Sequence, residues 1–310
     1  MNIIFMGTPD FATKSLEALL QAGQNVVAVV TQPDKKKGRG MKVAYSDVKI
    51  YALEHGLPVL QPETLRDGAF LPVLEQYKPD LIAVVAYGKI LPEYILNYPR
   101  FGCVNVHGSL LPKYRGAAPI QRTVLDGEPV GGVTTMRLDK GMDTGDIYLT
   151  AEVPVGENMT TGELFDTLAP LGGELLVRTV EALENGSAQP IPQEHTRATH
   201  AEKITPEECL VDFSLDAKAV HDRIRGLSPF PGAFSYLNGK TIKLYDSRVS
   251  AQSGVPGTVL EATRNGVVIA CGTGSVTLSS FKPEGKGLLT AADMVNGRKL
   301  AVGMQFTKEN

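Results

Sequence analysis

The sequence predicts an α/β protein: a mostly parallel sheet with helices on both faces, then a linker, then a small β-barrel. Three observations carry that expectation. The chain opens strand–helix–strand, with apolar runs at Asn2–Met6 and Val26–Val30 around a helical stripe of Phe11, Leu16, Leu19 and Leu20. A unit of that kind predicts parallel strands joined by a right-handed crossover, a Rossmann-like layout. Leu81–Ala86 is apolar throughout, as expected of a parallel strand covered on both faces. Past Pro206 the pattern changes to short β-branched runs, Thr241–Leu244, Gly257–Leu260, Gly266–Ala270 and Ser275–Leu278, separated by Gly and Asn. That spacing predicts a small antiparallel barrel. Asn185–Lys203, with Gly186, Pro190 and Pro192 and little periodicity, is the best linker stretch. The expected division is 1–189, a linker over 190–206, and 207–310.

A chain of 310 residues is long enough for two cores, and 43% hydrophobic with 21% charged residues is an ordinary globular composition. The net charge of −3 makes no global case for nucleic-acid binding. Its distribution is uneven: residues 1–205 hold 19 basic against 24 acidic side chains, and residues 206–310 hold 12 against 10. The sign of that shift allows a nucleic-acid-facing C-terminal part. Cys103, Cys209 and Cys271 are too widely spaced for a zinc pattern and odd in number, which argues against a disulfide framework. No apolar run is long enough to span a bilayer, and Met1–Gly7 enters a strand without a basic leader. The expectation is a cytoplasmic protein with no membrane partner, and a monomer by default.

The remaining elements follow in order. Thr8 is expected to cap the first helix, with Pro9 as its first residue. Only Gly7 lies near that turn, so G-x-G-x-x-G is missing and a dinucleotide is disfavoured. Pro33–Lys42 is a basic, glycine-bearing loop containing Lys35, Lys36, Lys37, Arg39 and Lys42. Such a run is either solvated or laid along phosphates. Helical spacing covers Tyr45–His55, a short strand Leu57–Leu60, and a Pro-punctuated helical region reaches Tyr77. Tyr87–Pro92 follows the Leu81–Ala86 strand at its C-terminal end, the expected edge of a ligand cleft. Short helices are expected over Glu93–Leu96 and Ala117–Leu125, and a long one from Thr160–Thr161 with Leu164, Leu168, Leu171, Leu175 and Leu176 inward. In the linker, His195 and His200 have no acidic or cysteine partners nearby and read as surface residues, not metal ligands. Ala217–Arg225 is helical.

Chemistry concentrates in two stretches. In Cys103–Gly116, Cys103, Val104 and Val106 form a buried strand, and Asn105 and His107 leave it on one face. Asn offers a neutral donor that can steady an oxyanion, and His handles protons near neutral pH. Taken alone, the pair could equally cap a turn and satisfy backbone groups. The second stretch, Leu138–Asp146, is a polar loop between strand-like runs Gly132–Leu138 and Ile147–Val155. It offers Asp139, Asp143 and Asp146, which spacing alone does not rank.

Together, Asn105-Val-His107, Ser109-Leu-Leu-Pro112, Arg115-Gly116 and Asp143-Thr-Gly145 resemble the folate-dependent formyltransferases. The resemblance implies that Asn105, His107 and Asp143 form the catalytic set. It implies that 10-formyltetrahydrofolate is the co-substrate, with no metal. Tyr87, Gly88, Ser109, Leu110, Leu111, Pro112 and Asp139 are then the expected folate contacts, while Lys113 and Arg115 stay undivided between surface and anion-facing roles. The basic loop is similar to one that, in members acting on methionyl-tRNA, reaches the acceptor end. Lys35, Lys36, Lys37, Arg39 and Lys42 are therefore the expected tRNA contacts. The Ser228–Gly232 entry segment and the C-terminal barrel, of oligonucleotide-binding type, resemble the same members, so the likeness covers essentially the whole chain. Initiator methionyl-tRNA is the expected acceptor. The alternative is an amino-sugar nucleotide, against which the basic loop and barrel argue. A catalytically silent RNA-binding module is disfavoured by the intact Asn105, His107 and Asp143.

Overall fold

A computed structural model describes residues 1–37 and 42–309. Strand β1 (Asn2–Gly7), helix α1 (Asp10–Gln21) and strand β2 (Asn25–Val30) form the opening unit, and β1 and β2 pair in parallel. The helix starts later than expected. Pro9 holds the N-cap position without a side-chain bond, and the Thr8 hydroxyl donates instead to the Tyr87 carbonyl at 3.2 Å. The basic loop is entered and left by a short antiparallel pair, β3 (Lys35–Lys37) and β4 (Lys42–Ala44), with Lys37 opposite Lys42. Arg39 lies outside the described residues. Helix α2 (Asp47–Glu54) begins where Ser46 Oγ accepts from Lys49 N at 3.1 Å. There follow β5 (Val59–Leu60), α3 (Leu71–Tyr77), β6 (Leu81–Val85), α4 (Glu93–Leu96), β7 (Cys103–His107), β8 (Arg115–Gly116) and α5 (Pro119–Leu125). Strands β9 (Val130–Arg137) and β10 (Ile147–Pro154), helix α6 (Thr161–Glu184) and strand β11 (His200–Ala201) complete this part.

The main sheet has the order β10-β9-β7-β6-β1-β2-β5. Strands β5, β2, β1, β6 and β7 run parallel, and β9 is antiparallel to β7. The chain winds outward from β1 through β2 to β5, then jumps back to place β6 on the other side of β1. This reversal is the topological switch where α/β sheets open a cleft at the strands' C-terminal ends. Alternation along each strand divides the core. Ile4, Met6, Ala28, Val30, Ile82, Val84 and Cys103 pack with Leu74, Ile95 and the ring of Tyr87. On the opposite face, α6 approaches so closely that a Cβ on Gly172 would lie 2.9 Å from Val106, and one on Gly173 would lie 2.9 Å from the Lys14 carbonyl of α1. Burial pushes the Cys103 thiol up to about 12, so it behaves as an inert core residue.

The C-terminal part adds α7 (Ala217–Gly226), β12 (Phe234–Leu237), β13 (Lys240–Ser250), β14 (Val259–Ala262), β15 (Val267–Ala270), β16 (Ser275–Pro283), β17 (Leu289–Thr290), α8 (Ala291–Asn296) and β18 (Phe306–Thr307). Its antiparallel sheet runs β14-β15-β16-β13-β12-β18, with β17 beside β16. The sheet curls until its ends meet. Val259 N donates to Met304 O, and Phe306 N donates to Gly257 O, each at 2.8 Å. These bonds, with the Thr258–Gln305 bridge, join the two ends over a short stretch and leave a curled half-barrel. Leu244, Val259, Ile269, Val276, Leu278 and Phe281 fill the interior with Val220 and Ile224 of α7.

The compact units are not contiguous in sequence. One comprises residues 1–119, 131–153 and 165–201; the other comprises 120–130, 154–164 and 202–310. Buried polar side chains explain the interleaving within the second unit. His221 Nε2 donates to Glu157 O at 2.9 Å, Arg225 Nη1 donates to Met159 O at 2.8 Å, and the Thr161 hydroxyl donates to Gly226 O at 2.7 Å. Arg122 donates to Glu208 Oε1 at 2.6 Å. Of the stretch expected as a linker, residues 190–201 belong to the first unit and 202–206 to the second. Ile191 bridges Ile147, Gln193 is buried, and His200 and Ala201 pair in parallel with Arg115 and Gly116. Among the described residues no helix is long and apolar enough to cross a membrane.

Candidate active site

Parallel pairing sets the C-terminal ends of β1, β6 and β7 side by side, with Gly7 opposite Val85 and Val85 opposite Val106. Asn105 and His107 therefore emerge beside the segment that follows β6. They share the parity of Cys103, so they leave the sheet on the face opposite Val106. His107 is 5% exposed and its Nε2 lies 2.8 Å from the Tyr114 carbonyl. A carbonyl only accepts, so Nε2 carries the proton. The other ring nitrogen, Nδ1, faces Asp143 Oδ2 at 3.6 Å. That separation is beyond hydrogen-bond length, so the imidazole edge faces the carboxylate without being bonded to it. Asn105 is half-buried, and among the described residues its side-chain amide makes no hydrogen bond.

Asp143 is held in the left-handed region, φ 53°, where a non-glycine residue persists only if its surroundings impose it. Gly116 N donates to its Oδ2 at 2.9 Å. The Gln193 amide donates to Asp143 O at 2.9 Å and to Gly145 O at 2.7 Å. A Cβ on Gly145 would lie 1.9 Å from the Arg137 carbonyl, so only glycine lets the loop close there. Asp139, expected among the folate contacts, accepts from Gly141 N at 2.9 Å and from the Thr144 hydroxyl at 2.7 Å. Its carboxylate is engaged in the loop's own turn.

The other expected contacts divide. Ser109 is buried and donates to Lys113 O at 2.7 Å, while Thr134 donates to Ser109 O at 2.7 Å. Leu111 N donates to the same Thr134 hydroxyl at 3.2 Å. Ser109 and Leu111 therefore shape the turn, and Leu110 and Pro112 are half-buried beside it. The Tyr87 ring is 1% exposed, and its hydroxyl, without a partner, is pushed up to about 12 by burial. Its backbone, gripped at the carbonyl by Thr8 and Gln32, is what lies at the strand end. Gly88 follows at φ 78°, and a Cβ there would lie 2.6 Å from Gln32 Nε2. Arg115 is buried on Gln193 and His195, while Lys113 is exposed. Lys35 is exposed, and Lys36, Lys37 and Lys42 sit at the base of the basic hairpin, away from the Asn105–His107–Asp143 cluster in sequence.

The formyl transferase family model matches residues 1–180, and the formyl transferase C-terminal domain model matches residues 203–299. The chain is 48% identical over 302 residues to the methionyl-tRNA formyltransferase of Desulfotalea psychrophila, covering 97% of this chain and 94% of that one. It is 44% identical over 310 residues to the methionyl-tRNA formyltransferase of Citrifermentans bemidjiense, covering 100% and 98%. The chain belongs to the methionyl-tRNA formyltransferase family.

Among solved structures it is similar to HypX from Aquifex aeolicus in complex with tetrahydrofolic acid, with a TM-score of 0.66 at 20% identity. That match covers all of this chain and spans about half, 48%, of HypX. At that identity the likeness speaks for the fold, a family sheet domain followed by a curled antiparallel sheet. Sequence reasoning missed Gln193, Gln32 and Thr134, whose roles depend on tertiary partners.

Proposed function

We propose that the chain transfers the formyl group of 10-formyltetrahydrofolate to the α-amine of initiator methionyl-tRNA. Near full-length identity of 44–48% to enzymes of that name supports the acceptor class. The observation that carries the chemistry is His107 Nδ1 facing Asp143 Oδ2 at 3.6 Å, with the Asn105 amide two residues before His107 unpartnered among the described residues. This donor set fits a formyl donor: a neutral N–H for a developing oxyanion, and an acid–base pair for the amine. The folate supplies an activated formyl carbon, so the proposed chemistry needs no metal. Asn105 donates to the oxygen as negative charge builds on it, where such a donor contributes roughly 3 kcal/mol. Asp143, through or beside His107, receives the proton that the attacking amine must shed; as the tetrahedral species collapses, the bond from the formyl carbon to the folate nitrogen breaks and a proton goes to that departing nitrogen, releasing tetrahydrofolate. His107, its Nε2 fixed on Tyr114 O, keeps Nδ1 aimed at the reacting groups. Ser109–Pro112 and the Tyr87–Gly88 backbone frame the folate ring, and the enzyme works as a cytoplasmic monomer.

The deciding experiment offers 10-formyltetrahydrofolate with charged initiator methionyl-tRNA, elongator methionyl-tRNA, free methionine and an amino-sugar nucleotide. Formyl incorporation confined to the initiator is expected. Transfer to the sugar amine alone overturns the acceptor assignment.

Lys35, Lys36, Lys37, Arg39 and Lys42 are proposed to lie along the acceptor-stem phosphates. Arg39→Ala is then expected to raise KM for methionyl-tRNA and to reduce the slope of log KM against log salt by about one, with KM for the folate unchanged. An equal rise in folate KM would assign the loop to the donor side.

A further inference from the structure

We infer that Gln193 is a positioning residue for the Asp143 loop, and that the strap running from Ile191 to Ala201 is part of the active-site frame. The inference rests on the proposed catalytic role of Asp143. Gln193 is 6% exposed and uses its amide completely. Both N–H groups are committed, to Asp143 O at 2.9 Å and Gly145 O at 2.7 Å. Its oxygen accepts from Arg115 Nε at 3.1 Å and Nη2 at 2.7 Å. The orientation is forced: flipping the amide would set N–H against guanidinium N–H and oxygen against two carbonyls.

These bonds close a ring. The Asp143 carboxylate is held by Gly116 N, Gly116 follows Arg115, Arg115 holds Gln193, and Gln193 holds the Asp143 backbone. A left-handed Asp143 is thus pinned from both its side chain and its main chain. The strap is itself fastened at both ends. Ile191 exchanges hydrogen bonds with Ile147, each 2.8 Å, just past the loop. Further along, Arg115 N donates to Thr199 O at 2.9 Å, Ala117 N donates to Ala201 O at 2.8 Å, and Tyr114 N donates to the Thr199 hydroxyl at 2.9 Å. The Tyr114 carbonyl is the one that fixes His107. One strap therefore frames both His107 and Asp143.

Gln193→Glu separates positioning from bulk structure. A glutamate keeps the Arg115 pairing and adds charge to it, but it has no N–H for the Asp143 and Gly145 carbonyls. Misplacement of a reacting group by about 1 Å costs on the order of 10²-fold in rate. Gln193→Glu is therefore expected to lower kcat for methionyl-tRNA formylation on the order of 10²-fold, with KM for 10-formyltetrahydrofolate within about twofold of the parent. Amide exchange at Gly116 should quicken, because its acceptor is no longer held. Gln193→Met, of similar size and without polar atoms, is the second variant; kcat per folded molecule in whichever of the two folds decides the matter. A folded variant with parental kcat and parental Gly116 exchange overturns the inference. Asp143→Ala assayed alongside keeps the two readings apart. If it stays active, the role given to Asp143 fails; if it is inactive while Gln193→Glu is fully active, only the role given to Gln193 fails.

Discussion

Asn105→Ala is expected to lower kcat for formyl transfer on the order of 10²–10³-fold, the loss seen where one oxyanion donor is removed, and Asp143→Ala is expected to abolish measurable transfer. Both variants should fold and bind the folate. Asn105 is half-buried with no partner among the described residues, so its truncation leaves no protein group orphaned. Asp143 gives up one bond from Gly116 N, while its main chain stays on Gln193. Neither change opens a cavity in the apolar core, so neither belongs to the mechanisms that cost several kcal/mol of stability. The two losses differ in kind. In the proposed mechanism Asn105 donates as charge develops on the oxygen, so kcat and kcat/KM should fall together. Asp143 is the proposed acceptor of the amine's proton, so its removal should lower kcat further than loss of Asn105 does. Thermal melting, folate binding and single-turnover transfer on the two variants check the assignment. A variant that melts early and loses folate binding in step with activity would mark a structural residue.

The parts of this molecule that could be read from sequence are those whose physics is local. Strand β7 shows alternation of Val104 and Val106 with Asn105 and His107, and period two fixes which side chains share a face. Apolar run length announced β6, and the glycine-bearing loop announced the Asp143 turn. Helix α8 was legible but missed: Thr290 and Asp293 form a capping box in the structure, and their three-residue spacing is its sequence signature. Other features had no local signal. The pairing of β8 with β11 spans two residues on each side, too short for any propensity to declare. Gln193 sits in an aperiodic stretch between prolines and becomes functional only because Arg115 and the loop carbonyls converge on it. Tyr87 was expected at the ligand for its place after β6; its ring lies in the core at 1% exposure, after a left-handed Ala86 at φ 45°. The interleaved units were hidden for the same reason, since they depend on charges buried around α7.

Those charges give the largest expected loss of stability. Asp222 and Arg225, one turn apart on α7, are 5% and 4% exposed and joined at 2.7 Å through Arg225 Nε and Asp222 Oδ1. Asp222→Ala leaves a buried guanidinium with the Gly156 and Met159 carbonyls but no anion. Breaking a buried pair from one side costs about 3–5 kcal/mol, because the remaining charge has lost both water and partner. Asp222→Asn keeps an oxygen for Arg225 Nε and should cost clearly less. Arg122 and Glu208, also bonded at 2.6 Å, make the useful contrast. Their side chains are 20% and 34% exposed, and exposed pairs are typically worth at most about 1 kcal/mol, so the shorter contact is not the stronger one. Denaturant unfolding of Asp222→Ala, Asp222→Asn and Glu208→Ala should rank the losses in that order among the carboxylate truncations, with Asp222→Ala far ahead. Equal midpoints for Asp222→Ala and Glu208→Ala would mean that water reaches Arg225 once its partner is gone. The segment 154–164 would then be held to α7 by the Thr161, His221 and Arg225 bonds without need of the Asp222 carboxylate.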